Sequence, residues 1–305
     1  MKTHQVKFSM DDSLCEMFRG QFVEANSFDT LISDDADVLK PDGSVLLKYR
    51  LGVVPLNMVE EVRPFFRKAA KPTDNRGIAA GIIRNKEDVA NVIGQQSSTR
   101  YKARTKGGYI SNVTRAKVVN SSVIGYMEND KGRHPYCRLT AFNLNHPTMF
   151  RAVLPFIRAV DGHFKATMPE RYSAQQSVVE QTHADFHISG TSFTTVTVNK
   201  NFRTAVHKDE GDLRAGFGVM SVLRRGTYEG CFLCFPKYRV AVDMKSGAVL
   251  LADVHEWHGN TPLVGTDGNY ERISLVFYYR EKMRECGSAT EELERIKMAR
   301  GAIKR

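Results

Sequence analysis

The sequence contains no long hydrophobic run and only a few cysteines. No stretch approaches the roughly 18 apolar residues of a membrane-spanning helix, and the first residues, MKTHQVKFSMDD, contain no apolar segment typical of a secretory signal peptide. The five cysteines (Cys15, Cys137, Cys231, Cys234 and Cys286) are an odd number at scattered positions. This argues against a disulfide framework and favours a reducing compartment. We therefore expect an intracellular protein with no membrane contact, in the cytoplasm of a bacterial host or in the nucleus of a eukaryote.

The chain has fewer acidic than basic residues, with 34 Asp+Glu and 44 Lys+Arg, and its net charge is therefore +10. Such a field favours a polyanionic partner, with nucleic acid as the first candidate. The excess is concentrated between residues 76 and 117, where nine basic residues face only Glu87 and Asp88. The nine are Arg76, Arg84, Lys86, Arg100, Lys102, Arg104, Lys106, Arg115 and Lys117. The middle of this segment, QQSSTRYKARTKGG, predicts a mobile basic loop, either simply solvated or in contact with phosphates.

Apolar periodicity predicts helices in the first half of the chain and near its end. Residues 56–71 form an amphipathic pattern that we expect Pro64 to interrupt, and residues 146–168 repeat apolar side chains at three-to-four spacing. A closing helix is predicted over residues 289–305. With 42% hydrophobic residues in 305, the chain is large enough for one sizeable core with an N-terminal extension.

From Thr191 the apolar period changes to two, in seven short runs separated by turn signals. The runs cover residues 191–200, 202–207, 217–225, 230–238, 239–244, 247–254 and 272–280. They predict an α+β chain whose core is a double-stranded β-helix (jelly roll, cupin-like) flanked by N-terminal helices. We place an N-terminal helical and basic region at residues 1–130, packed on the core and contacting nucleic acid, and the jelly-roll core with its supporting helices at residues 131–305.

Four residues at the ends of these predicted strands indicate a metal site. His207 and Asp209 lie two apart on a predicted strand and so face the same way. His258 follows a later strand, and Arg272 begins the last one. Two histidines and one carboxylate form the facial triad of non-haem iron oxygenases, and a guanidinium can hold a co-substrate carboxylate through two parallel hydrogen bonds. Taken singly, each residue fits a surface or turn position equally well, and His255 competes with His258 as third ligand; we prefer His258 because it leads directly into the GNTPL turn.

Three segments resemble the TET/JBP family, whose members oxidise the 5-methyl group of 5-methylcytosine or thymine in DNA. They are HKD at 207–209, WHGNTPL at 257–263 and ERISLVFYYREK at 271–282. The likeness extends from about residue 191 to 282. It implies a jelly-roll core, Fe(II), 2-oxoglutarate and O2 as cofactor and co-substrates, and double-stranded DNA with a flipped-out base as the partner.

Residue by residue, the resemblance implies roles for nine positions, and Asn199 is considered apart from it, because of its place near Arg203. His207, Asp209 and His258 would bind the iron. Arg272 and Ser274 would bind the carboxylate of 2-oxoglutarate, and Arg203 is a candidate for binding the other end of the co-substrate. The base would stack on Tyr278, and Asp212 would accept a hydrogen bond from the amino group of cytosine. Arg280 replaces a base-contacting histidine of the family, and Asn199 either lines the pocket or caps a turn.

Together with this resemblance, the sequence predicts a monomeric dioxygenase that converts 5-methylcytosine in DNA to 5-hydroxymethylcytosine. Further oxidation of that product stays open. The alternatives are thymine in DNA, a non-DNA substrate for the same oxygenase chemistry, or a nucleic-acid-binding module without catalysis. The lone C-x-x-C of Cys231 and Cys234 has no second ligand pair, so we expect it to pack in the core and bind no zinc.

Overall fold

The computed structural model describes residues 2–82, 92–93, 100–104, 109–130, 134–266 and 268–303. The α-helices of this part are α1 (Asp12–Met17), α2 (Leu56–Ala69), α3 (Ala141–Asn145), α4 (Pro147–Thr167), α5 (Pro169–Val179) and α6 (Ala289–Ile303). Short 3-10 helices span Gly77–Ala80, Ala184–Phe186, Pro236–Tyr238 and Glu281–Glu285. None of the described helices is long and apolar enough to cross a membrane.

The strands of the same ranges fall into an N-terminal group and a C-terminal group. The first comprises β1 (Lys2–Gln5), β2 (Thr30–Ile32), β3 (Ala36–Leu39), β4 (Val45–Arg50), β5 (Pro72–Thr73), β6 (Val92–Ile93), β7 (Arg100–Arg104), β8 (Ile110–Ala116), β9 (Val119–Met127) and β10 (Arg138–Leu139). The second comprises β11 (Thr195–Lys200), β12 (Gly218–Arg225), β13 (Tyr228–Gly230), β14 (Leu233–Phe235), β15 (Val240–Val242), β16 (Val249–Ala252), β17 (Gly259–Asn260), β18 (Leu263–Gly265) and β19 (Glu271–Tyr278).

Two sheets form the predicted jelly-roll core. The larger has ten strands in the order β1-β3-β4-β16-β12-β19-β11-β9-β10, with β5 paired to β9. The smaller has the order β17-β14-β15-β2, while β13-β18 and β6-β7-β8 form separate small sheets. In the centre of the large sheet, β19 pairs antiparallel with both β11 and β12. The predicted α+β class and jelly-roll core are therefore confirmed.

The alternation of side chains along β19 separates two cores. Ile273, Leu275 and Phe277 pack into one core with residues of α2 and α4, including Phe66 and Phe156. The opposite face of the large sheet packs against the small sheet in a second core, where strands β12 and β16 meet β14 and β15. Burying one such side chain stabilises the fold by roughly 1.5–3 kcal/mol. Because a strand alternates its faces, the even-numbered positions of β19 turn away from the helices and towards the interior of the jelly roll.

The predicted helices are confirmed, with one correction. Helices α2, α4 and α6 form where the periodicity places them, but Pro64 does not interrupt α2. Pro64 is exposed, whereas Val62 and Phe66 beside it are buried in the helix-facing core. The burial of that apolar face offsets the hydrogen bond that a proline removes from a helix interior.

The predicted strand over residues 202–207 is absent. That segment carries only an isolated antiparallel bridge between His207 and His258. The predicted basic loop is wrong at residues 100–104, which form β7 and pair with β8. Cross-strand hydrogen bonds to β8 stabilise this charged segment. Its sequence lacks the period-two apolar pattern that would predict a strand. The rest of the loop, residues 94–99 and 105–108, lies outside the described residues, as do Arg84 and Lys86 of the basic segment.

The boundary between residues 130 and 131 stays a prediction. The large sheet draws strands from both sides of it, because β1, β3, β4 and β9 precede the boundary and β11, β12, β16 and β19 follow it. The N-terminal region therefore supplies sheet as well as helix.

One expectation about the cysteines is wrong. Cys137 and Cys286 form a disulfide across 149 residues of sequence. The distance in sequence gives no hint of this pair, which arises because β10 and the end of the 3-10 helix Glu281–Glu285 come together in the fold. Cys231 and Cys234 are free and buried, as predicted for core residues.

Candidate active site

Three ligand-type side chains converge at one end of the jelly roll. His207 and His258 face each other across the isolated bridge, with His207 N–H donating to His258 O (2.9 Å) and His258 N–H donating to His207 O (3.0 Å). Asp209 is held by its own N–H, which donates to Val254 O (3.0 Å). Gly259 allows this close pairing, since a Cβ there would lie 3.1 Å from the backbone of Ala205. The result is a cluster whose donor atoms all lie within 4.8 Å of one another.

Hydrogen bonds fix which nitrogen of each histidine faces the cluster. Nδ1 of His207 lies 2.7 Å from Ala205 O, and Nδ1 of His258 lies 2.9 Å from Glu256 O. A carbonyl oxygen only accepts, so each Nδ1 carries the proton and each Nε2 keeps a free lone pair. These Nε2 atoms lie 3.3 Å and 3.8 Å from the carboxylate oxygens of Asp209.

The electrostatics of the cluster favour the ligating protonation state at His258 and Asp209. At His207 burial lowers the pKa, but the hydrogen bond with Asp209 and the charge of Asp209 outweigh it and raise the pKa. Burial lowers the pKa of His258 to about 4, helped by the nearby charge of His207. Burial by itself raises the pKa of Asp209, but the hydrogen bond with His207 and the charges of the histidines outweigh it and lower the pKa to about 2. A neutral imidazole and an ionised carboxylate are the ligating forms. Two Nε2 atoms and one carboxylate fit the facial triad of Fe(II).

A cavity of about 440 Å³ opens on this cluster and is lined by one face of β11 and one face of β19. The lining residues of these strands alternate, as the pleat requires. They are Thr197, Asn199, Arg272, Ser274, Val276 and Tyr278. The structure therefore brings the predicted iron ligands, Arg272, Ser274, Asn199 and Tyr278 to a single cavity, together with Asp212 and Arg280.

Arg272 is the buried cation of this cavity. Only 4% of the residue is exposed, and its side chain makes no hydrogen bond or ion pair with any residue that the structure describes. Its backbone N–H donates to Asn201 Oδ1 (2.7 Å), and Asn201 has a positive φ of 47°. A buried guanidinium is stable only with a compensating anion. Arg272 therefore fits the distal carboxylate of 2-oxoglutarate.

The side chains predicted to contact a base lie at the C-terminal end of β19 and at the bridge between Asp212 and Arg280 that follows it. The Tyr278 hydroxyl lies 3.0 Å from Thr197 Oγ1, and the Arg280 guanidinium lies 5.9 Å from the centre of the Tyr278 ring. Arg280 is ion-paired with Glu128 through two nitrogens. Burial raises the pKa of Asp212 well above its usual range, and the nearby charge of Asp209 adds to the effect.

The structure gives the positions of three further residues that the sequence analysis assigns or weighs. Arg203 does not line the cavity, because its guanidinium donates to Val23 O and to Asn260 O (3.2 Å). His255 is not part of the metal cluster, which contains His258, as preferred. Asn199 lines the cavity and accepts a hydrogen bond from Ser121.

Two residues of the site were missed by sequence reasoning. Arg76 was counted only as the first charge of the basic segment, yet its side chain lines the cavity and its buried Nε has no hydrogen-bond partner among the described residues. Glu128 carries no sequence-based assignment, although it is ion-paired with Arg280. Neither lies near the triad in sequence, so no local signal identifies them.

Residues 121–281, more than half of the chain, match the Tet_JBP family, described as the oxygenase domain of the 2OGFeDO superfamily. The chain belongs to the Tet_JBP family. The matched range contains all three residues of the triad and Arg272. Membership of this superfamily agrees with an Fe(II) and 2-oxoglutarate site at His207, Asp209, His258 and Arg272.

Curated Tet_JBP relatives are similar over this region. Thymine dioxygenase JBP1 of Trypanosoma brucei brucei is 37% identical over 184 residues, which cover 59% of this chain and 22% of that protein. The bifunctional helicase and thymine dioxygenase JBP2 of Leishmania tarentolae is 34% identical over 180 residues, 58% of this chain and 16% of that protein. The chain thus spans less than a quarter of the length of these relatives.

Among solved structures, NgTET1 in complex with 5mC DNA has a similar fold. The TM-score is 0.54 at 14% sequence identity, and the alignment covers 94% of this chain and 96% of that one. At 14% identity this similarity shows only that the two chains share a fold.

Proposed function

We propose that this protein is an Fe(II)- and 2-oxoglutarate-dependent dioxygenase that hydroxylates the 5-methyl group of a pyrimidine base in DNA. The observation that carries the proposal is one cavity that joins the triad, the buried unpaired Arg272 and the aromatic ring of Tyr278. The triad and Arg272 fit the metal and its co-substrate, and Tyr278 offers a surface on which a flipped base can stack. We further propose that it acts as a monomer inside the cell, in the compartment that holds the DNA.

The residues of the cavity have distinct roles in this reaction. His207, Asp209 and His258 would hold the iron, which together with 2-oxoglutarate supplies the activation of dioxygen for hydroxylation. Arg272 would grip the distal carboxylate of the co-substrate, with the Ser274 hydroxyl beside it on the same strand face. The walls of the jelly roll exclude bulk water and hold the base at a fixed position relative to the triad.

Thymine is our first choice of base. The relatives with 34–37% identity are thymine dioxygenases. In addition, Arg280 can only donate hydrogen bonds, and thymine presents a carbonyl oxygen at the position where cytosine has an amino group. The second candidate is the base expected from the sequence, 5-methylcytosine, whose amino group suits an accepting carboxylate at Asp212.

Matched DNA duplexes distinguish these bases. The purified protein is incubated with Fe(II), 2-oxoglutarate and air, either with an unmodified duplex or with the same duplex carrying 5-methylcytosine at every cytosine, and the nucleosides are identified by mass spectrometry. We expect 5-hydroxymethyluracil from both duplexes, while 5-hydroxymethylcytosine from the second duplex alone would establish the second candidate. If folded, iron-loaded protein gives neither product, the proposal fails and a non-DNA substrate takes its place.

Arg76 leads to a separate prediction. Its Nε lies buried in the cavity of the triad and has no hydrogen-bond partner among the described residues. Burial lowers the pKa of its guanidinium, so it needs an anionic partner in the reaction complex. Arg272 accounts for only one of the two carboxylates of 2-oxoglutarate. We therefore expect Arg76→Ala to raise the KM for 2-oxoglutarate about tenfold or more, since a hydrogen bond to a charged group contributes about 1.5–3 kcal/mol. Steady-state kinetics measures the change.

Arg151→Ala, at an exposed position on α4, serves as the control for Arg76→Ala. Its KM for 2-oxoglutarate should equal that of the unchanged protein. A variant Arg76→Ala with normal KM for 2-oxoglutarate and a raised KM for DNA would instead assign Arg76 to the substrate.

A further inference from the structure

A second, smaller cavity of about 160 Å³ adjoins the one that contains the triad. The two cavities share Asp212 and Tyr278 as a common wall. The smaller one is also lined by Arg171, in the first turn of α5, and by Arg214, in the turn that follows Asp212. Both arginines are exposed, and neither has a hydrogen bond or an ion pair with the residues that the structure describes.

The two arginines are held on elements that are fixed relative to each other. Gln175 of α5 is buried and donates to Ser192 O (2.7 Å). The turn bearing Arg214 packs directly on this glutamine, because a Cβ at Gly216 would lie 2.1 Å from Gln175 Oε1. The turn is also tied to the end of β19, where Leu213 N–H donates to Tyr279 O (3.0 Å). The cavity is therefore preformed.

Arg171 has a further support within this cavity. Its guanidinium carbon lies 5.9 Å from the centre of the Phe217 ring, and Phe217 is itself a lining residue. A contact of a guanidinium with an aromatic face orients the cation without neutralising it.

Two carboxylates line the cavity, and one of them is engaged elsewhere. Asp253 is ion-paired with Lys40 (2.8 Å) and accepts the N–H of His255 (3.2 Å). Asp212 is half-buried on the shared wall, where Asp209 and Arg280 are the charges that act on it most strongly. Two cations at the rim of one small cavity thus lack a counter-charge in the described structure, which is the electrostatic character of an anion site.

We infer that the smaller cavity binds a backbone phosphate of the DNA strand next to the flipped nucleotide. The inference rests on the proposed function, because it requires a base stacked on Tyr278. Because Tyr278 lines both cavities, we infer that a base stacked on its ring has its sugar and phosphate at the wall that the two cavities share. Arginine forks are the side chains best suited to a phosphate, and such contacts fix the register of the strand.

A pair of double variants with the same loss of charge tests this site. In Arg171→Gln/Arg214→Gln the proposed contacts are removed. The control is Arg151→Gln/Arg225→Gln, which replaces two exposed arginines that line neither cavity. The Kd of a fluorescent duplex is measured by anisotropy over a range of salt concentrations, without 2-oxoglutarate, so that turnover plays no part.

For the first double variant we expect Kd to rise about tenfold or more relative to the control. The slope of log K against log salt should become shallower by about 0.9, the value for one lost phosphate contact on duplex DNA. The single variant Arg214→Gln, in an exposed turn, should give a smaller rise in the same direction and guards against misfolding of the double variant.

Equal Kd values and equal salt slopes in the two double variants would overturn the phosphate site, whatever the hydroxylation assay gives. A difference between them, together with no hydroxymethyl product from the unchanged protein, would support the phosphate site and overturn the proposed reaction. The two failures are therefore distinguishable.

Discussion

Asp209→Ala and His207→Ala are expected to reduce DNA hydroxylation to background while DNA binding stays close to that of the unchanged protein. Asp209 is the only carboxylate of the cluster that the described residues form, and its pKa of about 2 keeps it ionised. Without it, two neutral imidazoles remain, which bind Fe(II) weakly. Hydroxymethyl nucleosides measured by mass spectrometry give the activity, iron content gives the metal occupancy, and fluorescence anisotropy gives the Kd for DNA.

His255→Ala is the matched variant for the metal site. His255 lies three residues before His258 in sequence, but it is not within the cluster of donor atoms. We expect His255→Ala to retain iron and His258→Ala to lose it. Hydroxylation that survives in both Asp209→Ala and His207→Ala would refute the iron assignment, and loss of iron only in His255→Ala would reassign the third ligand.

Arg272→Lys is expected to lower kcat/KM for 2-oxoglutarate by about 100-fold, equivalent to about 2.7 kcal/mol at 1.36 kcal/mol per factor of ten. The change keeps the positive charge but replaces a planar fork with a single ammonium, which cannot form two parallel hydrogen bonds to one carboxylate. The effect should be large because Arg272 is buried and its side chain is without a partner in the described part of the fold. Oxygen or succinate assays at varied 2-oxoglutarate measure it.

Arg224→Lys provides the comparison for Arg272→Lys. Arg224 is the direct cross-strand neighbour of Arg272, but it pairs with Asp243 (2.9 Å) and does not line the cavity of the triad. The KM for 2-oxoglutarate should be unchanged in this variant. If both substitutions raise that KM alike, the loss reflects disturbance of strands β12 and β19, and Arg272 has no specific role with the carboxylate.

Side chains that lie on the same face of a strand could be predicted from the sequence more reliably than the strands themselves. The period of two around ERISLVFY places Arg272, Ser274 and Tyr278 on one side of β19, and the structure has them lining one cavity. The strand predicted before His207 does not form, yet His207 and Asp209 converge on His258. Their positions depend on the bridge to His258 and on the bond to Val254, which are contacts between segments about 50 residues apart.

The residue types of the candidate site follow from the sequence alone. Local spacing supplies the two histidines, the aspartate and Arg272, and strand alternation places Ser274 and Tyr278 on the same face as Arg272, because both are short-range properties of the chain. The proposed stacking of a base on Tyr278 follows from the resemblance to the TET/JBP family. The remaining features depend on the tertiary structure. It brings Arg76 to the cavity of the triad, keeps Arg203 out of it, pairs Glu128 with Arg280, joins Cys137 to Cys286, and places Arg171 and Arg214 at one smaller cavity. Each of these pairings depends on the packing of residues distant in sequence, for which the local pattern carries no signal.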